Sequence, residues 1–312
     1  MIERKTVFVL GAGASMPYGF PSGAQLRDTI CEGANDGAWL TGVLYDYMAI
    51  APPDTQDFAR AFLASNVASI DSFLSRRGEY TDIGKLAIAA CLCVKEKPEW
   101  IYAKPNDDDW YHLLWNKLIE STKNRQEFAQ NEVRFISFNY DRSLEYFLHT
   151  STKNTYGGSD DKAMAAWSHL EILHVYGMLG KFGYAPGQLV RQYSEELTDG
   201  LIFTAANGIH VIPEARQDDE VFKKARRWFD WAEQICFLGF GFDPLNVERL
   251  GLDSVLVYKR EKSIQMPTIV ASIFGKTNAE KFAIQNKLCP TSGWQSLTEK
   301  NAMTLRHSSV LN

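Results

Sequence analysis

Short apolar runs bounded by glycine, proline or polar residues recur along the chain, and they predict buried β-strands. The predicted strands are Thr6–Leu10, Arg134–Phe138, Ile172–Tyr176, Gly208–Ile212, Gln234–Leu238, Ser254–Tyr258 and Thr268–Ile273. Stretches with apolar residues at helical spacing lie between several of these runs, at Ala24–Glu32, Ile83–Lys95, Trp110–Lys123, Arg142–Leu148, Asp219–Trp231 and Asn278–Lys287. This alternation predicts an α/β fold with a doubly wound, mostly parallel sheet.

The stretch from residue 37 to residue 130 has a different pattern, because it carries helical apolar repeats and no convincing strand. Breaks fall at Pro52-Pro53 and between Pro98 and Pro105. A connection of this length is a module rather than a loop. We therefore expect an α/β domain built from residues 1–36 and 131–290, a large helical insertion at 37–130 after the first strand, and a polar, weakly patterned C-terminal tail at 291–312.

Composition narrows the class of protein. Hydrophobic residues make up 45% and charged residues 23% of the 312 residues, as in soluble globular proteins. The net charge of −5 argues against direct nucleic-acid binding, which relies on clustered Lys and Arg. Five cysteines without paired CxxC motifs indicate a reducing compartment and no metal site. With no signal-peptide core and no apolar run of roughly 18 residues, we expect a cytoplasmic protein without a membrane span.

The clearest chemical signal is the strand Thr6–Leu10 running into the glycine turn Gly11–Ser15. Glycines at such a turn allow backbone N–H groups to approach a pyrophosphate, and the alternative is a tight turn without a ligand. In an ordinary dinucleotide-binding unit, an acid at the end of the second strand holds the ribose. Here a second loop, Met16–Gly23, follows instead, and Asp36 comes after a helical segment. A dehydrogenase is therefore the weaker interpretation.

Polar side chains at two further strand ends are candidates for catalysis. Asn139 directly follows an apolar strand, where ligands of open α/β sheets bind, and its amide can bond a ribose hydroxyl and a water. Asp141 either helps in that positioning or caps the helix that follows. His174 ends another strand and can act as a general base, with Tyr176 on the same strand face and His169 as the alternative histidine.

Taken together, these segments resemble the Sir2 superfamily, in particular the Sir2-like domains of bacterial antiphage systems. Gly11–Ser15 is similar to the family's GAGxS, Gly19–Gly23 to its second loop, Ser137–Asp141 to its N-x-D strand end, His174–Gly177 to its histidine-glycine strand end, and Gly239–Phe242 to its late glycine turn. Ile70–Leu74 resembles an I-D-x-F-L segment of the defence-type relatives. One departure is Tyr176, which stands directly before Gly177 where the family pattern has histidine.

The resemblance implies a Sir2/Rossmann-like fold and a set of site residues. Asn139 and His174 would be catalytic, and Asp71 and Tyr176 are further candidates. Whether Asp71 reaches the pocket or only stabilises its helix stays open. The residues implied to bind NAD are Gly11, Ala12, Gly13, Ser15, Phe20, Pro21, Asp141, Gly239, Phe240 and Gly241.

A second departure separates the activities known in the family. Cys91 and Cys93 are the only close cysteine pair and sit in an apolar helical pattern, so the zinc module of Sir2 deacetylases is absent. The resemblance then implies an NAD glycohydrolase that forms nicotinamide and ADP-ribose without a metal, as the effector of an antiphage system. The implied partners are further copies of the chain and a HerA-type ATPase or a short Argonaute. The alternatives are a protein ADP-ribosyltransferase or deacylase, and a non-catalytic NAD or ADP-ribose sensor.

Overall fold

The computed structural model describes residues 1–35, 37–67, 69–102, 107–183, 190–211, 220–288, 294–297 and 299–311. Within them the strands are β1 (Thr6–Leu10), β2 (Val133–Ser137), β3 (Ile172–His174), β4 (Lys181–Phe182), β5 (Val190–Arg191), β6 (Gln234–Leu238), β7 (Thr268–Ser272) and β8 (Trp294–Leu297). The helices before β2 are α1 (Ala12–Ser15), α2 (Gly23–Gly33), α3 (Trp39–Met48), α4 (Pro52–Ala64), α5 (Ile70–Leu74), α6 (Thr81–Cys93), α7 (Pro98–Ile101), α8 (Trp110–Ile119) and α9 (Arg125–Phe128). Those after β2 are α10 (Ser143–Tyr156), α11 (Asp160–Trp167), α12 (Asp199–Asn207), α13 (Glu220–Trp231), α14 (Pro244–Leu250), α15 (Leu252–Glu261), α16 (Asn278–Leu288) and α17 (Asn301–His307).

The central sheet has the strand order β3-β2-β1-β6-β7-β8, and every neighbouring pair is parallel. In its register Leu10 pairs with Ser137 on one side and with Leu238 on the other, so the three central strands end at the same level. Because the chain continues from β1 to β2 on one side and later returns to β6 on the other, a crevice opens where the strand order reverses. This confirms the predicted parallel α/β sheet and gives it a Rossmann-like strand order.

Burial explains why the central strands form. All residues of β1 and of β6 are buried, as expected for strands covered by helices on both faces. Phe8 of β1 stacks on Phe135 of β2 with 5.4 Å between ring centroids. These continuous apolar runs make the sheet the centre of the core.

The predicted helical character of residues 37–130 is confirmed for the part of that stretch the structure describes. It consists of α3 to α9, a 3₁₀ helix at Gly78–Tyr80 and turns. Helix α6 carries the most buried face, since Ala87–Cys93 are all buried. That this stretch forms a module of its own stays a prediction. In the described part of the chain, no helix combines the length and the hydropathy that crossing a bilayer requires.

Two predicted strands are wrong. Ser254–Tyr258 lies within α15, where Leu252, Leu256 and Lys259 are buried at helical spacing while Val257 and Tyr258 are half exposed. This apolar run thus winds around an amphipathic helix, with Leu256 on its buried side and Val257 and Tyr258 on its exposed side. The segment predicted as Gly208–Ile212 follows α12, and in its described residues Ile209 forms only an isolated antiparallel bridge with Gly177. Residue 212 lies outside the described residues.

The C-terminal tail departs most from its prediction. Residues 294–297 form β8, an edge strand that pairs with β7, and α17 buries Ala302 and Leu305. Helix α17 thus packs against the core, although most of its residues are polar. A capping box precedes α16, because the Glu280 N–H donates to Thr277 Oγ1 at 3.3 Å and the Thr277 N–H donates to Glu280 Oε2 at 2.8 Å.

Candidate functional site

A cavity of about 950 Å³ lies at the carboxyl ends of the central strands. Segments that follow four neighbouring strands line it: Gly11–Gly13 after β1, Phe138 and Asn139 after β2, Gly239–Asp243 after β6, and Ser272–Phe274 at the end of β7. Its position is the crevice at which open α/β sheets bind ligands. Of the predicted site residues, those that line it are Gly11, Ala12, Gly13, Asp71, Asn139, Tyr176, Gly239, Phe240 and Gly241.

The two glycine turns pack directly against each other. The Gly11 N–H donates to Leu238 O at 3.1 Å, and the Gly13 N–H donates to Gly239 O at 3.0 Å. A Cβ on Gly11 would lie 2.6 Å from Gly239 O, so the close approach of the turns already requires glycine there. The Ala12 N–H has no acceptor among the described backbone groups and is available to a ligand.

Gly239 offers a test of this packing. It has φ +56°, and a Cβ would lie 2.0 Å from the Ala14 backbone nitrogen. Gly239→Ala should therefore lower the free energy of unfolding by at least about 2 kcal/mol, through backbone strain and steric clash, as measured by urea denaturation. Gly241→Ala is the matched control, because a Cβ there meets nothing within 4 Å. Equal stability of the two variants would contradict the packing argument.

Asn139 connects the end of β2 to the first glycine turn. Its Nδ2 donates to Gly11 O at 2.9 Å and to Ser15 Oγ at 3.0 Å. Both donors of the amide are thus used, and their acceptors fix which way the amide faces. Its Oδ1 receives no hydrogen bond from the described residues, so this cavity-lining residue retains an acceptor that can bind a ligand.

His174 is buried beside Asn139 and does not line the cavity. Its Nδ1 lies 2.7 Å from Asn139 O, and its Nε2 lies 2.6 Å from Glu145 Oε1. Burial alone would lower the pKa of His174, but the Glu145 carboxylate outweighs it and raises that pKa. With both ring nitrogens occupied, the imidazole holds the backbone of Asn139. That His174 activates the nucleophile stays a prediction, and the contacts that the structure shows for its ring are with Asn139 and Glu145.

Four other predicted contacts are not among the residues that line the cavity: Ser15, Phe20, Pro21 and Asp141. Asp141 accepts hydrogen bonds from the Ser143 N–H at 3.1 Å and from the Ser143 hydroxyl, at the start of α10. The N-cap residue of α10 is Arg142, without a side-chain cap, so the two alternatives weighed for Asp141 stay open. Ser15 Oγ accepts a hydrogen bond from Asn139 Nδ2, and Phe20 is buried in the core.

Asp71 brings a carboxylate into the cavity from α5. It accepts a hydrogen bond from the Tyr140 hydroxyl, which belongs to the same loop as Asn139. Burial raises the pKa of Asp71, and the nearby carboxylate of Asp243 adds to this effect. A desolvated carboxylate that lines a cavity is a typical catalytic group.

Aromatic side chains form one wall next to Asn139. Phe138 packs edge-to-face on Phe240 with centroids 4.9 Å apart, and Phe240 does so on Phe242 at 5.1 Å. Tyr176 adds its ring, and its hydroxyl donates to Asn246 Oδ1 at 2.6 Å. Burial raises the pKa of Tyr176 to about 12, so this hydroxyl keeps its proton at neutral pH. Such a wall suits a flat heterocyclic ring.

The sequence did not indicate several residues that line the cavity, among them Asp108, Asp243, Asn246, Lys276, Lys300 and Asn301. Asp243 had a readable signal, since it stands before Pro244 and caps α14 by accepting from the Leu245 N–H at 3.0 Å. No sequence feature of Asn301 indicated that it would line the cavity, because this residue lies in the tail that was predicted to be weakly patterned. Among the described residues, no group of three or more His, Cys, Asp or Glu side chains is arranged to hold a metal ion.

Comparison with protein-family models gives no match for this chain, and a search of curated proteins gives none either.

Proposed function

We propose that the protein is an NAD glycohydrolase that cleaves NAD to nicotinamide and ADP-ribose. The observation that carries the proposal is that the amide of Asn139 and the carboxylate of Asp71, whose pKa is raised by desolvation, line one cavity where the strand order reverses. Dinucleotides bind at this place in Rossmann-like sheets. A volume of about 950 Å³ is within the range of cavities that enclose organic ligands.

The reaction breaks the C–N bond between nicotinamide and ribose. The leaving nicotinamide becomes neutral, the ribosyl carbon gains cationic character, and water adds to that carbon and releases a proton. A nearby carboxylate stabilises an oxocarbenium-like transition state, and we assign this role to Asp71. The Asn139 Oδ1 accepts a hydrogen bond from the attacking water or from a ribose hydroxyl, and the aromatic wall of Phe138 and Phe240 receives the nicotinamide ring.

The direct test is incubation of the purified protein with NAD, followed by chromatography of the nucleotides. Equal amounts of nicotinamide and ADP-ribose are expected. Release of nicotinamide with label retained on protein, detected by mass spectrometry, would instead indicate an ADP-ribosyltransferase. Bound but uncleaved NAD would indicate a sensor and would refute the hydrolase.

Asp71→Asn separates the chemistry of this carboxyl from its effect on stability. Without the charge, turnover of NAD is expected to fall at least about 100-fold. The variant is also expected to unfold at a higher temperature than the wild type at pH 7. The folded-state pKa of Asp71 is raised above the ordinary 3.8, so its contribution to stability is full below that value and is lost as pH rises. Asparagine is not charged at any pH, so the variant does not lose this stability as the pH rises.

The measurements are initial rates and thermal unfolding at pH 7 and pH 5. The stability difference between variant and wild type should shrink as the pH is lowered. Asp46→Asn, at an exposed position of α3, is the control and should change neither quantity. A variant with unchanged turnover would exclude Asp71 from the reaction.

The resemblance to defence-type Sir2 domains extends the proposal to biological context. We take the enzyme to be a cytoplasmic effector of a bacterial antiphage system, held inactive until needed. Control would come from self-association or from a HerA-type ATPase or a short Argonaute. NAD cleavage that is the same with and without such a partner would contradict this control.

A further inference from the structure

Asn301, the first residue of α17, lies in the wall of the cavity, although it is far from the glycine turn in sequence. The residue is 4% exposed. Its Nδ2 donates to Gly13 O at 3.0 Å and to Asp108 Oδ2 at 3.2 Å. Its Oδ1 is buried and accepts no hydrogen bond within the described part of the chain.

The orientation of this amide is fixed by its neighbours. Gly13 O is a carbonyl and only accepts, so Nδ2 rather than Oδ1 must face it. Asp108 is held in turn, because its Oδ1 accepts the Ala302 N–H at 2.8 Å. A buried acceptor without a partner costs about 1–3 kcal/mol, and a ligand that supplies a donor recovers that energy. A ligand hydroxyl or amine that donates to the Oδ1 of Asn301 would therefore be bound more tightly.

Asn139 and Asn301 stand on the two sides of the first glycine turn in matching roles. Asn139 donates to Gly11 O from the side of β2, and Asn301 donates to Gly13 O from the side of β7. The position of α17 near β7 is fixed by the Ser272 hydroxyl, which donates to Glu299 O at 2.8 Å. Each Nδ2 donates to a carbonyl of the turn, and neither Oδ1 receives a hydrogen bond within the described part of the chain.

We infer that Asn301 is a ligand-binding residue whose Oδ1 accepts a hydrogen bond from a hydroxyl of the adenosine ribose. The inference rests on the proposed function, which puts the nicotinamide ribose at Asn139 and the pyrophosphate over the glycine turn. The second ribose then lies on the far side of the turn, beside Asn301. In ordinary dinucleotide-binding units a carboxylate after the second strand accepts this bond. Here Asn139 occupies that strand end, and the C-terminal helix supplies the acceptor.

The test measures binding of ADP-ribose by calorimetry, with the wild type and Asn301→Ala. Parallel titrations use ADP-ribose that lacks either the 2′- or the 3′-hydroxyl of its adenosine ribose. Asn301→Ala is expected to weaken ADP-ribose binding about tenfold, equivalent to one hydrogen bond. One of the two deoxy ligands should bind the wild type about tenfold more weakly than ADP-ribose does. Its affinity should not fall further when Asn301 is replaced by alanine.

Asn131→Ala is the matched control, because Asn131 is equally buried but fully bonded to Ile2, Leu118 and Phe128. It should lower thermal stability without changing the affinity for ADP-ribose. If Asn301→Ala does not fold, the wild type titrated with the deoxy ligands still decides, since equal affinities for all three ligands refute the inference. The inference is also refuted if the loss of affinity caused by Asn301→Ala and the loss caused by removing the hydroxyl simply add up.

The two proposals fail in different ways. If wild-type protein cleaves NAD but Asn301→Ala binds ADP-ribose normally, the function stands and the role of Asn301 falls. If NAD is bound and not cleaved while the coupling between Asn301 and one hydroxyl is found, the hydrolase falls and the binding role stands. No binding of ADP-ribose to the wild type refutes the binding role directly.

Discussion

Asn139→Ala is expected to reduce NAD cleavage by about 100- to 1000-fold, the loss typical of removing one positioned polar group from a reaction centre. Two effects combine in this variant. The acceptor that can bind a ligand disappears, and the first glycine turn loses the hydrogen bond at Gly11 O that fixes it to the end of β2. Initial rates of nicotinamide release, measured at saturating and at low NAD, report the loss.

Asn154→Ala is the matched control for this experiment. Asn154 lies exposed on α10, where its Nδ2 donates to Thr150 O at 2.7 Å, and it should leave the rate unchanged. A second variant, Asn139→Asp, keeps an acceptor at the same place but loses both donors, and we expect it to be impaired as well. Full activity in Asn139→Ala would remove the central residue of the proposed mechanism.

The central strands were predictable because they are buried on both faces. Thr6–Leu10 and Gln234–Leu238 were predicted with the bounds that the structure has, since a short apolar run between polar residues has few other interpretations. The strand predicted at Ser254–Tyr258 was wrong because five residues of a helix, little more than one turn, can show the same short apolar run. Its helical period becomes visible only when Leu252 and Lys259 on either side are included.

The site was predictable where it follows strand ends. Parallel strands place their carboxyl ends at one edge, so the glycine turns and Asn139 had to meet there. The direction of a side chain was not predictable in the same way. His174 ends β3 as expected, but its ring turns toward Glu145 of α10, a contact that the local sequence does not encode. Asn301 reaches the cavity only through tertiary packing of α17.

Behind the loop that carries Asn139, three charged side chains form a buried cluster. Glu96 binds Arg142 at 2.9 and 2.7 Å and Arg191 at 3.1 and 2.7 Å, through both carboxylate oxygens. The side chains of Glu96 and Arg142 are fully buried, and that of Arg191 is 3% exposed. Glu96 thus compensates both buried guanidinium groups, and a second carboxylate, that of Glu195, lies 3.9 Å from Arg191 Nε.

Glu96→Gln is expected to lower the free energy of unfolding by about 3–5 kcal/mol, because it leaves buried Arg142 without its counterion and Arg191 with only the Glu195 carboxylate, 3.9 Å away. Glutamine keeps the shape of the side chain, so the loss reports the charge rather than a cavity. Urea denaturation should show a lower midpoint with an unchanged slope. Glu79→Gln, which removes an exposed partner of Arg77, is the control and should leave the midpoint in place.

The cluster also links stability to the proposed site. Arg142 follows the Asn139–Asp141 loop directly and donates to Arg191 O at 2.7 Å and to Gln192 O at 2.9 Å, so it joins that loop to the segment around β5. Under conditions where Glu96→Gln remains folded, we expect weaker NAD turnover with a larger change in kcat than in KM, because the loop positions the reacting group. A variant as stable and as active as the control would show that the arginines do not depend on Glu96 for charge compensation.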